Sequence, residues 1–414
     1  MTKKLVDLKI YFVSVLATGL MGVGLIFLEA GTKEGSADPA PRPASAVTRS
    51  GALRIHHVFI VVLENKDYKE TFDSSSQAQY LKKTLPAMGA KLTEYYGTAH
   101  ASLANYIAMI SGQPATADTQ EDCPVYKDFV QTGTSIDGFP VGNGCVYPPM
   151  VKTLPDQLKA RNLTWKGYME DMGNDPARES TTCGHPTIGT ADLTHMAVAP
   201  SAKVPSGDQY ATRHNPFVYF HSIIDSPDCN TNVVALNELE ADLAYIETTP
   251  NFVFITPNLC SDGHDGDGTG MPGRGCVDGK PGGLTSADEF LKTWVPKIIA
   301  SSAYRQDGLL IITFDEGEAF KGDACCGQQM GPNAKRPSSL RSVLAHTLMQ
   351  RSYGGDRTGA VLISPFIKPG TVSDTPYNHY SLLKSIENIF QVSEYLGYAG
   401  QLGLVAFGSD IFAD

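Results

Sequence analysis

Three short apolar runs constrain the fold of this chain more than any other feature: HVFIVVL at 57–63, NFVFIT at 251–256 and GLLIIT at 308–313. Runs this apolar and β-branched belong to strands buried on both faces, as in a parallel sheet. The segments between them are long enough for crossover connections that contain helices. A fourth run, 360–364, fits the same sheet, and the expected class is α/β, a mostly parallel sheet with helices on both faces. Acidic or amide residues follow each of the three: Glu64 and Asn65, then Asn258 and Asp262 with His264 nearby, then Asp315 and Glu316. The carboxyl ends of parallel strands face the crevice where open α/β sheets bind ligands. Three such sets at one edge collect negative charge that bound cations relieve.

Residues 98–112, TAHASLANYIAMISG, have a polar entry, then Leu103, Ile107 and Ile110 at helical spacing, then Gly112 and Pro114 as a stop signal. Ser102 fits the N-cap position. A hydroxyl at a helix N-terminus sits where unpaired N–H groups and the helix dipole favour phosphate or another anion. Asn105, one turn on, is placed to offer its amide to a phosphoryl oxygen. Ser102 alone reads as a cap, and only the rest of the chain can give it a further role.

Lys3, Lys4 and Lys9 precede an apolar run at 10–28, and an Ala/Pro/Ser/Gly-rich stretch follows. Residues 1–30 therefore read as an export signal and 31–52 as a linker. The run is also long enough to cross a bilayer, so an uncleaved anchor through 10–28 is the alternative. Either way the domain at 53–414 is extracytoplasmic, secreted or membrane-anchored. Eight cysteines fit that compartment, and Cys123 with Cys145 is the expected pair because they bracket a Gly/Pro/Asp-rich loop. No Cys-x-x-Cys spacing supports a zinc cluster. A formal charge of −11 argues against nucleic acid as a partner, so any substrate phosphate must meet local cations.

Helical patterning is expected over 77–91, 153–161, 233–246, 284–300 and 378–390, and strands over 92–96 and 164–169. Arg213, a candidate bidentate clamp for phosphate, and His214 precede an aromatic, strand-like run ending at Phe220. Residues 114–149 and 321–355 read as irregular, cysteine-bearing insertions, the second holding Lys335, Arg336, Arg341 and Arg351. His379 begins the last helix, clear of its apolar face.

In this order, FIVVLENKDY, HASLANYIAMISG, RHNPFVYF, PNLCSDGHD, LLIITFDEGE and PYNHYSLLKSIENIF resemble the motifs of the bacterial phosphoesterase family. That family includes secreted acid phosphatases and phospholipases C and is a branch of the alkaline phosphatase superfamily. The resemblance spans about 56–392 and implies an alkaline-phosphatase-like fold. It also implies Ser102 as nucleophile with Asn105 beside it, and a divalent-metal set drawn from Glu64, Asn65, Asn258, Asp262, Asp315 and Glu316. Asn and Glu stand at several positions where the wider superfamily has Asp and His. The number of metals is therefore open, as is their identity among calcium, magnesium, manganese and zinc. His100, Arg213 and His214 are expected to bind substrate and His264 and His379 to be catalytic, and a protonated histidine, which of the four being left open, is the natural acid for the leaving alcohol. The implied activity is hydrolysis of phosphomonoesters through a phosphoserine, on small phosphate esters or phospholipid headgroups, phosphoinositides included. A phospholipase C-type diesterase is the alternative, and a non-catalytic exported binding protein is a third reading. Polar, base-bearing insertions favour the monoester over a lipid-derived second substituent, which needs an apolar groove.

Overall fold

In a computed structural model that describes residues 54–318, 321–334 and 354–412, the three runs lie side by side at the centre of an eight-stranded sheet. In chain order its strands are β1 (His57–Leu63), β2 (Ala90–Leu92), β3 (Trp165–Met169), β4 (Val233–Ala235), β5 (Phe252–Thr256), β6 (Gly308–Phe314), β7 (Ala360–Ile363) and β8 (Thr371–Ser373). Across the sheet the order is β8-β2-β7-β6-β1-β5-β3-β4. β1 pairs in parallel with β5 and β6, and the parallel ladder runs on through β3 to β4. β7 is antiparallel to both β6 and β2, so one strand reverses an otherwise parallel sheet.

Four helices matter for the site: α1 (Ser102–Ser111), α2 (Leu154–Ala160), α3 (Gly283–Ala300) and α4 (His379–Ile389). Alternation along β1 sends Val58, Ile60 and Val62 into one core, which holds Leu103, Ile107 and Ile110 of α1 and Leu382, Leu383 and Ile386 of α4. Phe59, Val61 and Leu63 enter the opposite core with Leu284, Leu291, Val295 and Ile298 of α3. Each fully buried side chain of this size contributes roughly 1.5–3 kcal/mol. A one-residue slip would exchange the two cores, so the register is fixed. This is the expected α/β class, with helices on both faces.

Local expectations fared unevenly. α2 starts at a capping box in which Thr153 and Asp156 satisfy each other's backbone N–H groups. Gly112 closes α1 in the left-handed region at φ 65°, where a Cβ would stand 2.2 Å from the Leu396 carbonyl oxygen. The helix expected over 77–91 is confined to the turns Tyr80–Thr84 and Leu85–Met88. Gly89, where a Cβ would stand 2.0 Å from the Leu362 carbonyl oxygen, separates these turns from β2. The strand expected over 92–96 breaks into the end of β2 and the pair Tyr95–Tyr96. The helix expected over 233–246 is replaced by β4 and the short turns Leu236–Glu238 and Leu239–Asp242, because Val233 and Val234 pair with β3 at the sheet edge. The aromatic run is a 3₁₀ turn, Pro216–Tyr219, since proline has no N–H for a ladder and its fixed φ starts a helical turn.

Disulfides join Cys123–Cys145 as expected, and also Cys183–Cys229, Cys260–Cys276 and the adjacent Cys325–Cys326. The export signal or anchor at 10–28, the linker at 31–52 and the bases Lys335, Arg336, Arg341 and Arg351 fall outside the described residues. Among the described residues no helix is long and apolar enough to cross a membrane.

Candidate active site

Sheet pairing delivers the acidic side chains. Leu63 of β1 is in register with Phe314 of β6, and the backbone pairing continues beyond both strands. Asp315 N donates to the Leu63 carbonyl at 2.9 Å, Glu64 N to that of Asp262 at 2.9 Å and Lys66 N to that of Glu316 at 3.1 Å. Glu64 continues the parity of Val58, Ile60 and Val62, and Asp315 that of Leu309 and Ile311, which places both carboxylates on the α1 face.

Ser102 is not the cap of α1. Ala101 holds that position, without a side-chain bond, and Ser102 is the first helical residue. Its Oγ donates instead to Glu64 Oε2 at 2.9 Å, and the side chain is buried. A hydroxyl hydrogen-bonded to a carboxylate is the arrangement of a nucleophile and its base. Asn105 does not offer its amide outward. Its Nδ2 donates to the carbonyls of Ala99 (2.8 Å) and Ala101 (3.2 Å), and its Oδ1 accepts from the backbone N–H groups of Thr98 (2.7 Å) and Ala99 (3.0 Å). The geometry gives Asn105 the task of shaping the loop that presents Ser102.

Glu64, His214 and Asp262, all buried, each bring one donor atom within 4.8 Å of the others. His214 Nε2 lies 3.2 Å from Glu64 Oε1 and Nδ1 lies 3.9 Å from Asp262 Oδ2. The ring stacks on Tyr106, with centroids 5.2 Å apart and planes 9° from parallel. Glu64 Oε1, Asp262 Oδ2, Asp315 Oδ2 and both His214 nitrogens are buried without a hydrogen-bond partner. Burial, followed by the charges of Asp315 and Asp262, pushes the Glu64 carboxyl well above its usual range, and burial raises Asp262 and Asp315 as well. Burial and then the Arg213 charge hold the His214 pKa well below its ordinary value, so the imidazole is neutral. Unpaired buried carboxylates are costly, and oxygens converging with a neutral imidazole form the donor set of a divalent cation. These residues fit such an ion, and His214, expected among the substrate contacts, belongs to this set.

The other expected ligands divide. Asp315 Oδ1 accepts from the backbone N–H groups of Asn65 at 3.0 Å and Glu316 at 2.7 Å, leaving Oδ2 toward Glu64 and Ser102. Asn65 thus takes part through its backbone, in a left-handed turn at φ 50°. Asn258 turns away from the set: Nδ2 donates to Asp171 Oδ2 at 2.6 Å, and Oδ1 accepts from the N–H groups of Cys260 and Ser261. Its short side chain is spent on folding the loop that carries Asp262. Glu316 is engaged by His100, whose Nδ1 lies 2.7 Å from Glu316 Oε2 and whose Nε2 lies 3.3 Å from Asp356 Oδ2. Burial alone would lower the His100 pKa, but Asp356 and Glu316 raise it to about 9. Burial drives Glu316 up to about 8 against the pull of His100, whereas Asp356 is lowered despite its burial. Glu316 and Asp356 thus both act as counter-ions to His100. His100, expected as a substrate ligand, is enclosed by these carboxylates.

His379 is also corrected. Far from standing clear of the core, it is fully buried, with Nδ1 3.0 Å from the Tyr95 hydroxyl and Nε2 2.5 Å from the Asp315 carbonyl oxygen. Burial lowers its pKa to about 4, so it positions β6 and is not a proton donor to substrate. His264 keeps 45% of its side chain exposed and pairs with Asp265 at 2.9 Å. Arg213 donates from Nη1 to the His195 carbonyl at 3.1 Å and lies 4.0 Å from Asp122. Sequence reasoning missed Asp122, Asp356 and the Tyr106 ring. Asp122 had a signal, since it directly precedes a cysteine with a legible partner. Asp356 had none, because its role comes from contacts made across the fold.

A model of the family described as Phosphoesterase matches residues 85–393. The chain is 24% identical over 377 residues to an acid phosphatase of Aspergillus fumigatus, covering 89% of this chain and 64% of that protein. It is 24% identical over 344 residues to a phosphate-repressible acid phosphatase of Penicillium chrysogenum, covering 83% and 61%. It thus spans less than two thirds of both fungal relatives. A phosphatidylinositol-3-phosphatase of Mycobacterium tuberculosis is 23% identical over 327 residues, covering 78% of this chain and 85% of that one. A crystal structure of a protein in the alkaline phosphatase superfamily from Vibrio parahaemolyticus aligns with a TM-score of 0.43 at 11% identity, over 82% of this chain and 67% of that one.

Proposed function

Because the chain belongs to the Phosphoesterase family, we propose that it is an exported, divalent-metal-dependent phosphomonoesterase of the acid phosphatase type, working through a phosphoserine on Ser102. The observation that carries this reading is the Ser102–Glu64 hydrogen bond of 2.9 Å beside a buried, unpaired set of oxygen and nitrogen donors. Held by Glu64, His214 and Asp262 with Asp315 beside them, a divalent cation would lower the pKa of the Ser102 hydroxyl and polarise the phosphoryl oxygens. Glu64 Oε2 accepts the Ser102 proton as Oγ attacks phosphorus in line. The bond from phosphorus to the alcohol oxygen breaks, and the alcohol leaves with a proton from His264, the site histidine in exchange with solvent. Water then attacks the phosphoserine and gives its proton to His264, the bond from phosphorus to Ser102 Oγ breaks, and Glu64 returns its proton to Oγ as phosphate leaves. Arg213 supplies positive charge to the phosphoryl oxygens.

Export is supported by the basic-flanked apolar run at 10–28 and by the disulfides. Substrates are proposed to be small phosphate esters, and phosphoinositide headgroups come into range through the name of the Mycobacterium relative, since a phosphate on an inositol ring is a monoester. Ser102→Ala is expected to abolish turnover at a stability change of no more than about 1–3 kcal/mol. Peptide mass spectrometry of acid-quenched enzyme should find phosphate on Ser102. Phosphate trapped on another residue, or wild-type rate in a folded Ser102→Ala protein, would overturn the mechanism. A higher kcat/KM for p-nitrophenyl phosphorylcholine than for p-nitrophenyl phosphate at every pH would replace the monoesterase with a diesterase.

A further inference from the structure

Two of the N–H groups at the helix start that a phosphate would be expected to use, those of Leu103 and Ala104, are taken up by the protein itself. Asp122 Oδ1 accepts from Leu103 N at 3.0 Å, and Ala104 N turns back to the Ala101 carbonyl at 3.2 Å. Asp122 Oδ2 lies 4.0 Å from Arg213 Nε, and Arg213 Nη1 donates to the His195 carbonyl at 3.1 Å. The guanidinium is thus hydrogen-bonded through Nη1 and ion-paired at Nε, and its Nη2 has no hydrogen-bond partner among the described residues. Its charge reaches the metal set, where it partly opposes the rise that burial imposes on the carboxyls of Glu64 and Asp262.

Asp122 is itself fixed by an unusual backbone. It stands at φ 54° and Cys123 at φ 51°, two successive left-handed residues that are not glycine. Such residues persist where the surroundings over-determine them. Here the surroundings are the Cys123–Cys145 disulfide, the Cys123 N–H bond to the Asp118 carbonyl at 2.9 Å and the Gly144 N–H bond to Asp118 Oδ2 at 2.7 Å. A carboxylate this close to a phosphate site repels a dianion, so its place there needs an explanation. Binding both the helix N–H and the guanidinium provides one.

We infer that Asp122 is a positioning residue: it takes up the N–H at the start of α1 and orients Arg213, so that Arg213 and not the helix terminus receives the incoming phosphate, while the Cys123–Cys145 disulfide holds Asp122 in place. The inference rests on the phosphoesterase reading. It also predicts a sign opposite to simple electrostatics. Removing a negative charge near the site should tighten phosphate binding, whereas losing the orienting partner of Arg213 should weaken it.

The test uses metal-loaded Asp122→Asn, Arg213→Ala and the double variant, with folding checked by circular dichroism and Asp122→Ser held as a second substitution. KM and kcat for p-nitrophenyl phosphate are measured together with the calorimetric Kd of inorganic phosphate. Asp122→Asn should raise KM and the phosphate Kd about tenfold with a smaller change in kcat, and adding it to Arg213→Ala should change either constant by less than about twofold. Unchanged or tighter phosphate binding in Asp122→Asn, a lowered Tm with KM and Kd intact, or losses that multiply in the double variant would each overturn the inference. If wild-type protein neither binds phosphate nor hydrolyses the ester, the phosphoesterase reading fails and this inference falls with it. If wild-type protein does both and Asp122→Asn matches it, only this inference fails.

Discussion

At the scale of single residues, several polar side chains drawn to the site by their chemistry are spent on shaping it. Asn105 uses both amide donors on the carbonyls of Ala99 and Ala101, so Asn105→Ala should destabilise the fold by about 1–3 kcal/mol and distort the Ser102 loop. A urea titration alongside kcat would show both losses. Removal of a simple phosphate contact would raise KM while leaving stability alone. His379 and His264 make a second contrast. His379 is buried between Tyr95 and the Asp315 carbonyl with its pKa lowered to about 4, whereas the His264 side chain is partly open to water. His264→Gln should therefore lower kcat most for substrates with poor leaving groups, whose alcohol needs a proton to depart, and least for p-nitrophenyl phosphate. His379→Gln should lower Tm without that dependence on the leaving group. An equal loss of kcat for good and poor leaving groups in His264→Gln would remove this histidine from the acid role.

At the scale of elements, α4 carries a built-in pH dependence. Glu387 is fully buried in the helix, and its carboxylate accepts from Leu396 N at 2.8 Å. Burial raises its pKa from 4.5 to about 7, against the lowering effects of that bond, Gln157 and Lys384. The folded state therefore holds the proton more tightly than the unfolded chain. Its stabilising contribution is complete below about pH 4.5, declines as pH rises and is gone above about pH 7. Glu387→Gln stays neutral and can still accept the Leu396 bond, so it should be more stable than wild type above pH 7, by at most about 3 kcal/mol, with the difference closing toward pH 4.5. Denaturant midpoints across that range would test it, and a difference independent of pH would refute the assignment.

At the scale of the whole molecule, the orphaned donors of Glu64, Asp262, Asp315 and His214 couple the proposed cation to folding. Prolonged chelation should lower Tm and abolish activity, and a divalent ion should restore both. Metal-free protein, confirmed by elemental analysis, with unchanged Tm and rate would exclude the cation. Among the disulfides, Cys183–Cys229 closes the longest loop, with a separation of 46, while Cys325–Cys326 closes none. Replacing the first pair by serine should cost about 2–4 kcal/mol and replacing the second much less. The apolar runs at 57–63, 251–256 and 308–313 by themselves determined the central strands and their burial on both faces, because so little polarity leaves no face for water. Local signals also marked α1 with its Gly112 stop and the Cys123–Cys145 pair. Only the tertiary structure decided which polar groups meet: His214 and not Asn258 beside Glu64 and Asp262, Asp356 against His100, Asp122 at the start of α1. Those choices depend on register and on crossovers between segments far apart in the chain, where side-chain direction is set by the strand or turn that neighbouring strands impose. The same competition turned 233–246 and the run to Phe220 from their local preferences, since burial against the sheet outweighs the small energies of helix or strand propensity.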